Sequence, residues 1–218
     1  DRFPSVDGKR SVNVYLARMR EALVDYERIG GDIHPDDFRL GPFHTPFPGM
    51  VRKAAVLAYR HITRDTDIED ELAEEIGPQP HREDVEDEEA YMEALSEYTD
   101  KLKETDRYQE WYDQMIEPTL SISRHVGNWY TCSVHLARVA GLKSLAETGE
   151  DAVGEQLLVG SYGSGAQAEI HVETVQENWQ DEIEALDIDE QVEARYDLSF
   201  EEYEKVHDAH NFDEESAV

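Results

Sequence analysis

Three polar junctions, punctuated by glycine or proline, hold the residues whose types and spacing could do chemistry. They are Phe43-His44-Thr45-Pro46-Phe47, Gly127-Asn128-Trp129-Tyr130-Thr131 and Gly160-Ser161-Tyr162-Gly163-Ser164-Gly165. His44 could act as a general base, an oxyanion donor or a metal ligand, because a neutral imidazole both donates and accepts a hydrogen bond. Taken alone, a single histidine is more often structural, and Asn128 before a helix more often forms a cap or a turn. The glycine-serine stretch is neither a phosphate cradle nor a serine nucleophile elbow. No Lys-Ser/Thr pair follows it, and Gly163 and Gly165 flank Ser164 one position away on each side, where the elbow has glycines at two. Gly163 and Gly165 flanking Ser164 read as a tight turn that presents a hydroxyl and backbone N–H groups. Cys132 is the single thiol and falls within the next apolar helical pattern, where cysteine behaves as a small hydrophobe.

The elements that must position these junctions follow from periodicity. Val12, Tyr15, Leu16, Met19, Leu23 and Tyr26 recur at helical spacing over residues 11–29, with Ser11 placed to cap and Gly30-Gly31 to stop. Residues 38–43 look extended and deliver His44, and an apolar helix follows over residues 50–62. His44 thus stands at the carboxyl end of a strand, where open α/β sheets gather their sites. A polar loop over residues 124–129 leads into a helix carrying Val134, Ala137, Val139, Gly141, Leu142 and Leu145. Residues 156–159 and 166–175 read as two strands that can pair as a hairpin. The segment 65–107 is an acidic insertion of solvated helix faces and an exposed loop, and residues 177–218 form an acidic helical extension with a frayed end. The first 176 residues form one domain.

Composition narrows the function. The chain has 218 residues, 39% of them hydrophobic, enough for one sizeable core or one half of a duplicated fold. Its 51 acidic against 20 basic residues give a net charge of −31, which disfavours nucleic acid and anionic membranes as partners. Periodic apolar segments rule against disorder, so the acidity reads as a surface kept hydrated in concentrated salt, as in a halophile. Only six basic residues are lysine and 14 are arginine, in keeping with such a surface. One cysteine makes neither a disulfide nor a thiolate-rich zinc site, and the acids by themselves call for no metal. Without an apolar run of membrane length or a signal-peptide layout, the expectation is a soluble, cytoplasmic protein.

Four ordered blocks resemble the hydroxymethylglutaryl-CoA synthases of the thiolase superfamily. The first is Val6-Asp7-Gly8-Lys9 with Ser11 and the helix holding Tyr15-Leu16. The second is Phe43-His44-Thr45-Pro46-Phe47 with Met50-Val51 and Lys53-Ala54. The third is Gly127 to Thr131 with Ser133, and the fourth is Ser161 to Gly165. Each block is modest by itself; in order, over roughly residues 4–170, they are specific.

The resemblance implies the C-terminal half of a thiolase-like α/β fold, a mixed five-stranded sheet with helices on its faces. It implies the condensation of acetyl-CoA with acetoacetyl-CoA to 3-hydroxy-3-methylglutaryl-CoA in the mevalonate route to isoprenoids. Both thioesters are substrates, and no cofactor is required. His44 falls on the family's active-site histidine, which holds the acetoacetyl group and polarises its carbonyl. Asn128, Ser164 and Ser11 fall on substrate-binding positions, and Lys53 on a lysine that binds CoA. Gly49 stands where many relatives carry a further lysine. The family's nucleophilic cysteine and acid/base glutamate belong to the N-terminal half, so the expected partners are that half and a second copy of the whole enzyme. This chain alone should be inactive. Rival readings are another ketoacyl-synthase-like acyltransferase, a non-catalytic CoA-binding or assembly subunit, and a thiol hydrolase built on Cys132 and His44.

Overall fold

A computed structural model describes residues 8–85, 87–163 and 165–210. Val6 and Asp7 of the first block, and Ser164, lie outside the described residues. The chain divides into two units, residues 1–184 and 185–218.

In the first unit, helix α1 spans Gly8–Gly30 and buries Tyr15, Met19 and Leu23, successive positions on one helical stripe. It begins three residues before the expected start, so Ser11 lies inside the helix and is not its cap. Gly31, with φ of 101°, carries the chain away from the helix end through a left-handed conformation. Helix α2 (Pro48–Ile62) opens on proline, whose missing N–H costs nothing in a first turn. It is buried over most of its surface, from Met50 to Ile62.

The acidic insertion is folded onto α2. Helices α3 (Asp67–Ile76), α4 (Glu88–Glu104) and α5 (Asp106–Met115) turn their acids outward. Leu72, Tyr98, Leu102 and Tyr108 pack with Val56 and Tyr59 of α2. Asp87 caps α4 and Thr105 caps α5 through their side chains. A short helix α6 (Ser123–Val126) occupies the start of the expected loop and precedes α7 (Cys132–Thr148). Cys132 is the first residue of α7 and is exposed, so the expectation of a small buried hydrophobe fails: the helix starts there, before its apolar stripe.

Strands β1 (Gln156–Gly163) and β2 (Gln167–Thr174) pair antiparallel, with Leu158 opposite Val172 and Gly160 opposite Ile170. Residues 39–44 run parallel to β1. Arg39 N–H donates to Gln156 O at 2.7 Å, Leu158 N–H to Leu40 O at 2.9 Å, Gly160 N–H to Pro42 O at 3.1 Å, and His44 N–H to Gly160 O at 2.7 Å. The sheet is therefore mixed, as expected, and the described residues contribute three of its ribbons. Two apolar layers sandwich it. Leu158 and Ile170 join Tyr15, Met19, Leu23 and the α2 residues on one face, while Leu157 and Val159 join Leu40, Val134 and Leu145 on the other. Alternation along β1 produces this division, since successive side chains point to opposite faces.

The second unit holds α9 (Ile188–Glu193) and α10 (Phe200–His210), after α8 (Trp179–Ala185), whose Trp179 packs into the α7 layer of the first unit. Within α10 the rings of Phe200, Tyr203 and His207 follow one another along one side.

Gly160 marks the closest approach in this packing. An added Cβ would stand 2.5 Å from Met19 Cε and 2.8 Å from Phe43 Cδ1. Gly160→Ala is accordingly expected to destabilise the fold by about 1–3 kcal/mol, as overpacking does, which a fall in the urea midpoint at unchanged slope would register.

Candidate functional site

His44 is the residue that the parallel ladder delivers to the end of β1. It is 6% exposed, and both of its backbone groups are held: the N–H donates to Gly160 O, and the carbonyl accepts from the buried Tyr15 hydroxyl at 3.0 Å. Thr45 Oγ1 donates back to Phe43 O at 2.8 Å and tightens the turn into α2. The Tyr162 ring lies 5.9 Å from the imidazole and meets Tyr15 edge-on at 5.1 Å. Burial lowers the His44 pKa from its ordinary value, so the imidazole is neutral near pH 7. A neutral ring can present one N–H to an oxygen that gains charge while its other nitrogen accepts. Burial also drives the Tyr15 hydroxyl far above the usual phenol range, which keeps it a donor.

His44 opens on a cleft of about 920 Å³. Its walls are α1 (Arg18, Glu21, Ala22, Asp25), α7 with Thr131 before it (Val134, His135, Arg138), the end of β1 (Val159, Ser161 to Gly163) and β2 with Ala166 (Gln167 to Glu169, His171, Glu173). Each of the three junctions found in the sequence thus contributes to one cavity. Among the described residues, the edge of β2 away from β1 carries no paired strand, and the cleft runs along it between α1 and α7.

The other sequence candidates are placed differently. Asn128 is exposed, and its Oδ1 accepts from Tyr130 N–H at 2.8 Å and from Ser133 Oγ–H at 3.2 Å. Ser133 Oγ in turn accepts from Trp129 N–H at 2.9 Å. These bonds hold a loop in which Gly127 and Tyr130 have positive φ, and they leave the indole and phenol of Trp129 and Tyr130 largely exposed. Ser11 and Lys53 lie on exposed faces of α1 and α2 and do not line the cleft.

Periodicity did not single out the polar network on the far wall. Arg138 Nη1 donates to both carboxylate oxygens of Glu173, at 2.7 and 2.8 Å, while its Nη2 lies 3.1 Å from His135 Nδ1. A guanidinium only donates, so His135 Nδ1 is the acceptor in this contact. His171 Nε2 approaches Glu173 at 3.3 Å. Burial pushes the Glu173 carboxyl up, but Arg138 and His171 outweigh it and hold its pKa below the usual value. The available signal was His171 and Glu173 two apart on one strand face, with an arginine on the apolar helix that packs over it.

Comparison with known proteins follows the same outline. The sequence profile of the family described as "Hydroxymethylglutaryl-coenzyme A synthase C terminal" matches residues 1–216. The hydroxymethylglutaryl-CoA synthase of Haloferax volcanii is 63% identical over 216 residues, which is 99% of this chain and 48% of that protein. The human mitochondrial hydroxymethylglutaryl-CoA synthase is 27% identical over 183 residues, 76% of this chain and 33% of that protein. The chain therefore spans a third to a half of these relatives. The structure of MvaS in complex with 3-hydroxy-3-methylglutaryl coenzyme A superposes with a TM-score of 0.66 at 23% identity, covering 93% of this chain and 44% of that one. PksG, an HMG-CoA synthase from Bacillus subtilis, gives 0.65 at 21%, covering 92% and 40%. At such identities these two superpositions establish a shared fold.

The depressed His44 pKa has a consequence for stability. Below about pH 6.5 the unfolded chain binds a proton that folded His44 refuses, so this contribution to stability is lost as pH falls. Between about pH 7.5 and about pH 5.5 the urea midpoint of the unaltered chain should fall further than that of His44→Gln, and parallel curves would contradict the buried neutral state.

Proposed function

Because the chain belongs to the hydroxymethylglutaryl-CoA synthase C-terminal family, we propose that it is the His44-bearing half of a synthase that condenses acetyl-CoA with acetoacetyl-CoA. The products are 3-hydroxy-3-methylglutaryl-CoA and CoA, on the mevalonate route to isoprenoids. The observation that carries the reading is a buried, neutral histidine, pinned through both backbone groups at a strand end and facing a cleft.

The chemistry assigned to His44 follows from that state. Carbon–carbon bond formation turns the acetoacetyl ketone into an alkoxide, and a preorganised N–H at its oxygen stabilises the charge more in the transition state than in the ground state. The acetylated cysteine that supplies the attacking carbon, and the glutamate that moves the protons, come from the N-terminal half. Asn128 and Ser164 contact the acyl substrate, Ser11 is a further substrate-binding residue, and Lys53 meets the CoA phosphates. Lys53 has no ion pair among the described residues and is available for that role. Gly49 supplies no charge, which leaves Lys53 the more important of the two family positions.

The unpaired edge of β2 supports a partner half, since an exposed edge is a template for another strand and the cleft beside it has the room. Exposed Phe47, Trp129 and Tyr130 add apolar surface for the same partner. The whole enzyme works as a homodimer in the cytoplasm, and the net charge of −31 supports a cell with a salty interior. No helix among the described residues is long and apolar enough to cross a membrane.

A condensation assay in concentrated KCl tests the proposal by comparing this chain alone, the whole synthase, and the whole synthase carrying His44→Ala. The chain alone should be inactive, and His44→Ala should lower kcat by about 10²–10³-fold, the usual effect of losing an oxyanion donor. Turnover by the isolated chain, or full activity of the variant, would overturn the assignment.

A further inference from the structure

We propose that Tyr15, one helix away in space and 29 residues away in sequence, is a positioning residue for His44. This rests on the synthase reading above and deepens it. The Tyr15 side chain is fully buried, and its hydroxyl has one hydrogen-bond partner among the described residues, the His44 carbonyl at 3.0 Å. That carbonyl is the one backbone group of His44 the sheet does not hold, because the ladder's last bond, from His44 N–H to Gly160 O, engages the amide alone. Beyond His44 the chain leaves β1 and turns into α2, so nothing in the ladder fixes the plane of the peptide that follows the histidine. The phenol supplies that restraint from α1.

The same tyrosine also acts on the ring. Tyr15 meets Tyr162 edge-on at 5.1 Å, and Tyr162 lies 5.9 Å from the imidazole, so the order Tyr15, Tyr162, His44 forms one packed row. Met19 and Phe43, which crowd Gly160, belong to the same apolar cluster as Tyr15 and Tyr162. A hydroxyl at the end of a rigid six-membered ring is a strut with two rotatable bonds, well suited to hold a backbone group at fixed distance from a helix. Displacement of a catalytic group by about 1 Å can cost about 10²-fold in rate, which sets the scale on which a lost strut would be felt. Tyr15 does not itself line the cleft, so its effect passes through the two lining residues it touches, His44 and Tyr162.

The experiment is steady-state kinetics of the whole synthase with Tyr15→Phe, Tyr108→Phe and His44→Ala, and with 4-aminophenylalanine at position 15. Tyr108 is a buried tyrosine of the α2–α5 layer, away from the cleft, and serves as the control for loss of a buried hydroxyl. Tyr15→Phe should lower kcat by about 10- to 100-fold with KM for acetoacetyl-CoA within about twofold. The aminophenylalanine variant keeps an N–H donor at similar reach and should recover most of the loss, while Tyr108→Phe should leave kcat unchanged. Unchanged kcat in Tyr15→Phe, or a loss that follows only the folded fraction and is not recovered by the amino group, would overturn the positioning role. Full activity of His44→Ala would overturn the synthase role of His44 and this proposal with it, whereas an inactive His44→Ala beside a fully active Tyr15→Phe would overturn the positioning role alone.

Discussion

Four backbone hydrogen bonds between residues 39–44 and β1 set the position of nearly everything else in the first unit. A parallel ladder cannot be closed by a tight turn; its two ribbons here are separated by more than a hundred residues, and every helix from α2 to α7 lies in the connection. The ladder needs close approach at Gly160, where Phe43 and Met19 both occupy the space a side chain would take. Where it ends, His44 is left with its amide bonded to the sheet and its carbonyl bonded to α1. The histidine's burial and neutrality are consequences of that placement.

The acidic surface contributes little to holding the fold. Ion pairs such as Arg18 with Glu21 and Arg28 with Asp25 are exposed and lie within one helix, where solvent and salt screen them. The stabilising terms are three apolar clusters, and the insertion shows how they coexist with the charge: α3 and α4 turn their acids outward and bury Leu72, Tyr98 and Leu102. The partly buried pair Arg138–Glu173 is different, because it ties α7 to β2 across the cleft and both partners are flanked by histidines. Such a pair specifies geometry more than it adds stability.

Much of this was legible in the amino-acid order. The stripe from Tyr15 to Leu23 and the apolar run of α2 follow from helical period, and the hairpin from alternation bounded by glycine and serine. The four motif blocks led to the family, whose profile covers residues 1–216, and to the C-terminal half of a thiolase-like fold. His44 could be placed at a strand end because an extended run stops at His-Thr-Pro and a helix follows. These are local properties, carried by residues a few positions apart, and so they survive in one dimension.

Tertiary structure decided what depends on residues distant in sequence. Helical period could not reveal that Tyr15 reaches the His44 carbonyl, since it marks the residue as core and is silent about where its hydroxyl goes. It also misjudged Cys132, which period alone assigned to an apolar helix and which the start of α7 leaves exposed. The salt link from Arg138 to Glu173 joins positions 35 apart, and the histidines beside it converge only when α7 lies across β2. Sequence period sets which face of each element is apolar; the distance between two faces is set by packing, and it is packing that chose the neighbours of His44.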